Sequence, residues 1–80
     1  MNIHSIKTLI EDFSIEELKA AEGAFEQGLP VAIDVPGTDE GEQFTHVIAA
    51  IWVKSEMDTK KVDYRTALRA YTGKVRASIS

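Results

Sequence analysis

The stretch "DEGEQFTHVIAAIWV", residues 39–53, ends in the longest unbroken run of apolar residues in the chain, from Val47 to Val53. At helical spacing, its large apolar residues form one stripe and its smaller ones fall on the other side. The stripe comprises Phe44, Val47, Ile48, Ile51 and Trp52, and the other side carries Ala49, Ala50 and Val53. A helix that is apolar nearly all round is buried on both faces. We therefore expect a buried helix over residues 40–57, with Trp52 in the core.

The residues before this run predict where the helix begins. Pro36 and Gly37 are typical of a turn. The spacing of Asp39 and Glu42 matches an N-cap acid followed by its N3 glutamate. Acidic side chains in the first turn are also stabilised by the positive end of the helix dipole. Helix capping therefore explains these carboxylates without a ligand.

Glu42 and His46 allow a second interpretation, because residues four apart lie on one helical face. They are the weak candidates for metal ligands. The chain has no HExxH motif and no EF-hand spacing, and two ligands do not make a site. We therefore expect no metal and no cofactor, and we assign no catalytic residue. His46 is expected to be an interfacial or exposed histidine, the alternative being a pH-sensitive or catalytic one.

Three more helices are predicted from apolar periodicity and from capping signals. Ser14 and Glu17 match a capping box, Gly28 is suited to ending a helix in the left-handed conformation, and Asp63 is a plausible N-cap. The chain is thus expected to be mainly α, with about four short helices covering residues 3–12, 15–27, 40–57 and 64–77.

Residues 31–35 show a different pattern. Val31, Ile33 and Val35 alternate with Ala32 and Asp34, which is the two-residue period of a half-buried strand. We expect one short strand here. A lone strand leaves backbone donors and acceptors unpaired, so it needs a partner.

Length and composition place limits on the class of protein. Eighty residues, 44% of them apolar and 28% charged, predict one small globular domain over residues 1–80. The absence of cysteine excludes disulfides and thiol catalysis, and it fits a reducing compartment. No signal-peptide core follows the start, and the longest apolar run is too short to span a bilayer. We expect a soluble, cytoplasmic protein without membrane association.

The net charge of −4 is unevenly distributed. Residues 1–59 carry a net charge of −9 and residues 60–80 a net charge of +5. Arg65, Arg69 and Arg76 line one stripe of the last helix and form a basic surface. Such a surface can bind nucleic acid, but the acidic body opposes phosphate binding. We expect the basic segment to lie beside acidic residues, within one chain or across a dimer.

Three features predict a homodimer. The third helix is apolar on both sides, the strand lacks a partner in the chain, and the acidic and basic regions can complement each other between subunits. The small residues of the third helix allow a second helix to approach closely, and the strand can pair with its own copy. The expected interface residues are Ala49, Ala50, Val53, Val31 and Ile33.

The stretches "IEELKAAE", "DEGEQFTHVIAAIW" and "VDYRTALRAYTGKVRASIS" together resemble a family of small uncharacterised bacterial proteins. Its members occur mainly in Bacteroidetes and are similar in length to this 80-residue chain. The resemblance covers nearly the whole chain, and its most specific part runs from Asp39 to His46. It implies no established activity and no catalytic residues. It does imply proximity to thioredoxin-like or peroxiredoxin proteins, and hence a thioredoxin-like protein partner.

The sequence favours a small non-catalytic accessory or interaction module, homodimeric and acting through its surfaces. The alternative is a small enzyme or metal-dependent protein with a site at a dimer seam around Glu42 and His46. A second alternative is nucleic-acid binding through the basic C-terminal helix. Catalysis normally needs a concave pocket with convergent polar groups, which a chain of this length rarely encloses alone.

Overall fold

The computed structural model describes the backbone of residues 2–79 and the side chains of residues 2–76. Within this range the chain forms four helices and no strand, which confirms the mainly α prediction. The third and fourth helices continue a few residues beyond their predicted ends. The helices are α1 (Ile3–Asp12), α2 (Ile15–Gln27), α3 (Glu40–Lys60) and α4 (Tyr64–Ile79).

Helix α3 is the centre of the fold. Each of the other three helices packs against it, and contacts among those three are sparse. This arrangement follows from the sequence, since α3 is the helix with apolar residues on several sides. No helix in residues 2–79 is both long and apolar enough to cross a bilayer.

Capping side chains are present at all four helix starts, including the three predicted at Ser14, Asp39 and Asp63. Asn2 Oδ1 accepts the backbone N–H of His4 at 2.9 Å, and Ser14 and Glu17 form the reciprocal capping box. Asp39 accepts the N–H of Glu42 at 2.8 Å, and Asp63 that of Thr66 at 2.8 Å. Each cap satisfies a backbone donor that has no partner inside its helix. The helix starts are thus determined by local sequence.

The C-terminus of α1 is capped by a residue from another helix. Lys54, on α3, donates from Nζ to the carbonyl oxygens of Ile10 at 2.9 Å and Phe13 at 2.8 Å. Helix α1 has no basic residue in its last turn. The ammonium group therefore supplies the cation that the negative end of the helix dipole favours.

The core lies around α3. Its buried apolar residues come from every helix and from the connection between α2 and α3; they are Ile6, Leu9, Ile10, Leu18, Ala21, Val35, Val47, Ala49, Ala50, Val53, Ala67 and Tyr71. Trp52 is half-buried and packs against this cluster. The prediction that Trp52 lies in the core is thus only partly correct.

The predicted strand at residues 31–35 is wrong. This segment has bends at Ala32 and Ile33. Its alternation is real at the level of burial, since Val31, Ile33 and Val35 face inward while Ala32 and Asp34 are exposed. The segment lies along α2, and no second extended segment in residues 2–79 is available to pair with it. Burial alone therefore produced the two-residue period.

The turn before α3 requires its glycine. Gly37 has a φ of 152°, and a Cβ atom there would lie 2.9 Å from the backbone nitrogen of Gln43. The Gln43 side chain in turn donates from Nε2 to the carbonyl oxygen of Val35 at 3.1 Å. Gly37 thus lets the connection fold closely over the first turn of α3.

Candidate interaction surface

One side of α3 is left uncovered by the other helices. Along it lie residues at alternating spacings of four and three, which places them on a single helical face. They are exposed or half-buried, although the helix is the centre of the fold. We call this side the open face of α3; it comprises Gly41, Thr45, Ile48, Trp52, Ser55 and Thr59.

A groove runs along the open face beside α2. It has a volume of about 460 Å³, and its apolar lining is supplied by Ile48, Ile51 and Trp52. Lys19 and Glu22 of α2 form its other side. Ile48 is 37% exposed, making it one of the few large apolar side chains in residues 2–76 that the fold leaves in water. With the half-buried Ile51 and Trp52 it forms a small apolar strip at the middle of the central helix.

Helix α4 borders the open face on the other side. The Trp52 ring lies 5.5 Å from the Tyr71 ring at an interplanar angle of 51°, and Lys74 Nζ lies 5.7 Å from the Trp52 ring centroid. Burial raises the pKa of the Tyr71 hydroxyl. These contacts hold the indole in one orientation. One edge of Trp52 is thus fixed by α4 while another lines the groove.

The α3 residues that were predicted to form a dimer interface do not lie on the open face. Ala49, Ala50 and Val53 are 0% exposed in the single chain, so they are not available as a surface of the folded protein. Val31 and Ile33 are half-buried against the core. The small residues do allow close helix approach, as their size suggests, but the helices that approach belong to the same chain. The exposed side of α3 is the one that carries Ile48 and Trp52.

His46 is a buried structural residue with both ring nitrogens bonded. It is 1% exposed, which contradicts the expectation of an interfacial or exposed histidine. Its Nε2 accepts the backbone N–H of Asn2 at 2.9 Å, so Nδ1 carries the proton and donates to the carbonyl oxygen of Pro36 at 2.8 Å. The neutral ring therefore joins the start of α1, the connection and α3. Sequence spacing gave no signal of these partners, because both are distant backbone groups.

Glu42 is also engaged by the backbone. Its carboxylate accepts the N–H of Thr38 at 2.9 Å, while its own N–H is bonded by Asp39. It borders an open cleft of about 780 Å³ between the starts of α1 and α3. No group of three potential metal-ligating side chains occurs among the residues that the structure describes. Within residues 2–76, every buried side-chain nitrogen and oxygen has a hydrogen-bond partner.

The basic surface predicted on α4 is exposed. Arg65, Arg69 and Arg76 all face solvent. The ion pair found among residues 2–76 joins Lys60 to Glu56 at 2.9 Å and involves none of these arginines. The hydrogen bond from Thr66 is the main cause that lowers the pKa of Asp63, and the nearby charges of Arg65 and Arg69 lower it further. Among the described residues, these three arginines thus form no ion pair with an acidic side chain.

The chain was also compared with known proteins. All of it, residues 1–80, matches a family of unknown function, DUF6952. The protein belongs to this family. No curated protein and no solved structure matches the chain. The resemblance to a family of small uncharacterised proteins is confirmed to this extent.

Membership of DUF6952 assigns no role to any residue. The function must therefore be argued from surfaces and their chemistry. Of the features described above, the open face of α3 and the basic surface of α4 are not explained by internal packing and capping.

Proposed function

We propose that this protein is a small non-catalytic interaction module that acts as a homodimer in the bacterial cytoplasm. The observation that carries the proposal is the open face of α3, where Ile48 and Trp52 border an apolar groove on the central helix. The lack of cysteine agrees with a reducing compartment.

Energetics favour covering this face. Fully burying an exposed isoleucine stabilises a complex by about 1.5–3 kcal/mol, and Ile48, which is 37% exposed, would gain roughly a third of this. A domain of this size has a net stability of only about 3–5 kcal/mol when its core acts alone. Covering Ile48 and completing the burial of Trp52 would therefore add to the stability of the fold in each copy. Small domains without disulfides commonly obtain such reinforcement from a partner subunit.

The chemistry of the polar residues supports a non-catalytic role. A general base needs a free lone pair directed at a substrate. Both ring nitrogens of His46 are bonded to backbone groups, so this ring has no free lone pair, and Glu42 Oε1 accepts from the Thr38 backbone in the turn before α3. The residues that define the enzyme alternative thus serve the fold. A metal titration followed by thermal unfolding tests that alternative, which predicts stabilisation by the metal and its loss in Glu42→Gln.

Sedimentation equilibrium tests the main proposal. We expect a mass near twice 8.8 kDa at micromolar concentration. Ile48→Lys places a charge in the groove and should give monomers with unchanged helicity. Leu29→Lys is the matched control, since Leu29 is also exposed, at 54%, but lies outside the open face. A wild-type chain that stays monomeric at millimolar concentration would refute the proposal.

A second function class is supported by the basic surface. Arg65, Arg69 and Arg76 are exposed and make no ion pair with the described acidic side chains, as a polyanion-binding surface requires. Against it stands the net charge of −4. Binding to RNA or DNA that weakens steeply with salt, and is lost in Arg69→Gln, would favour this alternative. Binding of a thioredoxin-like protein that depends on the same arginines would instead identify a protein partner.

A further inference from the structure

Two adjoining clefts lie where the end of α2 meets the start of α3. Their volumes are about 550 and 390 Å³, within the size range of clefts that hold ligands. Phe25 and Glu40 line both clefts. The Phe25 and Phe44 rings lie 5.6 Å apart, and Leu29 is 54% exposed. We call this depression the acidic groove; it comprises Phe25, Glu26, Leu29, Asp34, Glu40 and Phe44.

The acidic groove combines an apolar lining with unpaired negative charge. The carboxylates of Glu26, Asp34 and Glu40 are exposed along it, and no lysine or arginine lines either cleft. The ion pair and the side-chain hydrogen bonds described for residues 2–76 involve none of these three carboxylates. Contacts within the chain therefore do not neutralise them.

The end of α2 adds to the negative charge of the groove. Glu26 lies in the last turn of α2, where the helix dipole opposes an acid, and this turn has no basic residue. At the corresponding end of α1, Lys54 supplies a cation. The end of α2 receives none from the residues that line the groove, and Glu40 offsets the positive start of α3. A cation from a partner would thus be favoured by both Glu26 and the end of α2.

We infer that the acidic groove binds a segment of a protein partner that presents apolar side chains flanked by lysine or arginine. This inference rests on the proposed role as an interaction module, and it concerns a different surface from Ile48 and Trp52. The apolar side chains of the segment pack on Phe25, Phe44 and Leu29, and its cations pair with the carboxylates. Two adjoining clefts need two anchoring side chains, which a polypeptide segment supplies and a small amine does not.

The charge of the groove selects this partner over others. Nucleic acids and anionic membrane surfaces are repelled by a negative potential, whereas a basic segment is attracted to it and is oriented by it. A second copy of the chain lacks the required combination. Its basic helix α4 exposes arginines, but the large apolar side chains described for that helix pack in or against its own core. The occupant is therefore a segment of a different protein.

Titration of the isotope-labelled full chain with a defined peptide, followed by nuclear magnetic resonance, tests the inference. The probe is a short amphipathic peptide of leucine and arginine at helical spacing, and glutamate replaces arginine in the control peptide. We expect saturable shifts of the amide signals along the acidic groove with the arginine peptide alone. Glu26→Gln and Glu40→Gln should each weaken binding about 1.4- to 5-fold. Leu29→Ser should weaken it about 4- to 15-fold, since about half of the leucine remains to be buried.

Matched variants outside the groove are the controls. Glu16→Gln removes another exposed acid of α2, and Ile3→Ser removes an apolar side chain that is 53% exposed on α1. Neither should change the binding of the peptide. If Glu16→Gln weakens binding as much as Glu26→Gln, only the overall charge attracts the peptide and the inference is overturned. Shifts confined to other parts of the chain, or free arginine binding as tightly as the peptide, would also overturn it.

The same variants separate this inference from the proposed dimer. Ile48→Lys should dissociate dimers and leave the binding of the peptide unchanged. If the wild-type chain sediments as a dimer but does not bind the peptide, the inference fails and the proposed function stands. If it binds the peptide in the groove but sediments as a monomer, the proposed dimer fails and the inference stands. If Glu26→Gln and Arg69→Gln each turn dimers into monomers, a second copy fills the groove and the inference is wrong.

Discussion

His46 shows how a single residue can join distant parts of the backbone. Its neutral ring accepts from Asn2 and donates to Pro36, so removing it leaves two backbone groups and a cavity in the core. We expect His46→Ala to lower the free energy of unfolding by roughly 2–4 kcal/mol. Urea titration followed by circular dichroism measures the change. His4→Ala serves as the control, because His4 is exposed and its loss should have little effect.

The same residue gives a spectroscopic prediction. The hydrogen-bond directions require the proton on Nδ1 and a lone pair on Nε2. Nitrogen chemical shifts of the His46 ring should therefore report the Nδ1–H tautomer, whereas a solvent-exposed histidine favours the other form or a mixture. Two equivalent, rapidly exchanging ring nitrogens would contradict the hydrogen-bond pattern. The sequence contained no warning of this role, since both partners are backbone atoms far away along the chain.

Lys54 is the second residue whose role appears only in the folded chain. Lys54→Met keeps most of the aliphatic stem but removes the ammonium group that binds the last carbonyls of α1. We expect a loss of about 1–2 kcal/mol in the free energy of unfolding, measured by urea titration. Lys60→Met, which removes the surface pair with Glu56, is the comparison and should cost well under 1 kcal/mol. Equal effects of the two substitutions would mean that the cap by Lys54 stabilises the fold no more than a surface ion pair does.

At the scale of the helices, the start of α4 gives a pH prediction. Asp63 caps the helix through the N–H of Thr66. The hydrogen bond from the Thr66 side chain is the first cause that lowers the pKa of Asp63 from the ordinary 3.8, and the bond from the Thr66 N–H is the second. Because the pKa of Asp63 is lower in the folded state, the ionised carboxylate stabilises the fold at any pH above the pKa of the unfolded state. This stabilisation is lost as the pH falls through the pKa of Asp63 in the folded state. Asp63→Asn retains a capping oxygen without the charge.

The expected result is therefore a comparison of two pH profiles. As the pH falls from about 5 to below 3.8, the stability of the wild-type chain should decrease more steeply than that of Asp63→Asn, as measured by urea midpoints. At neutral pH the two should be similar, because asparagine is also a good N-cap. If the two stability profiles run parallel at acid pH, the pKa of Asp63 is the same in the folded and unfolded states and this prediction is wrong.

Helix boundaries could be predicted because their causes are local. The N-cap residues, the Gly28 turn and the apolar periodicity act within a few residues, and they determine the starts of all four helices and the end of α2. The strand prediction for residues 31–35 was wrong for a physical reason. Alternating burial arises whenever an extended segment lies against a helix, whether or not a strand forms. The open side of α3 also could not be inferred. Apolar residues surround the helix, and only tertiary packing determines which of them the other helices cover.

At the scale of the whole molecule, the open face offers an intrinsic probe of assembly. Trp52 is the only tryptophan in the chain, and it borders the groove that a second copy would cover. Association should remove water from the exposed part of the indole and shift its fluorescence emission to the blue. Dilution of the wild-type protein through the dissociation range should reverse this shift. Ile48→Lys should show the emission of the diluted protein at every concentration.

Thermal unfolding gives an independent measure of the same equilibrium. Because only the folded state dimerises, a partner subunit stabilises it by mass action, and the unfolding midpoint should rise with protein concentration. Ile48→Lys should abolish the concentration dependence, whereas Leu29→Lys should preserve it. If the midpoint and the Trp52 emission of the wild type are both independent of concentration over three decades, Ile48 stays in water as an ordinary exposed side chain. The open face would then be no interface between copies.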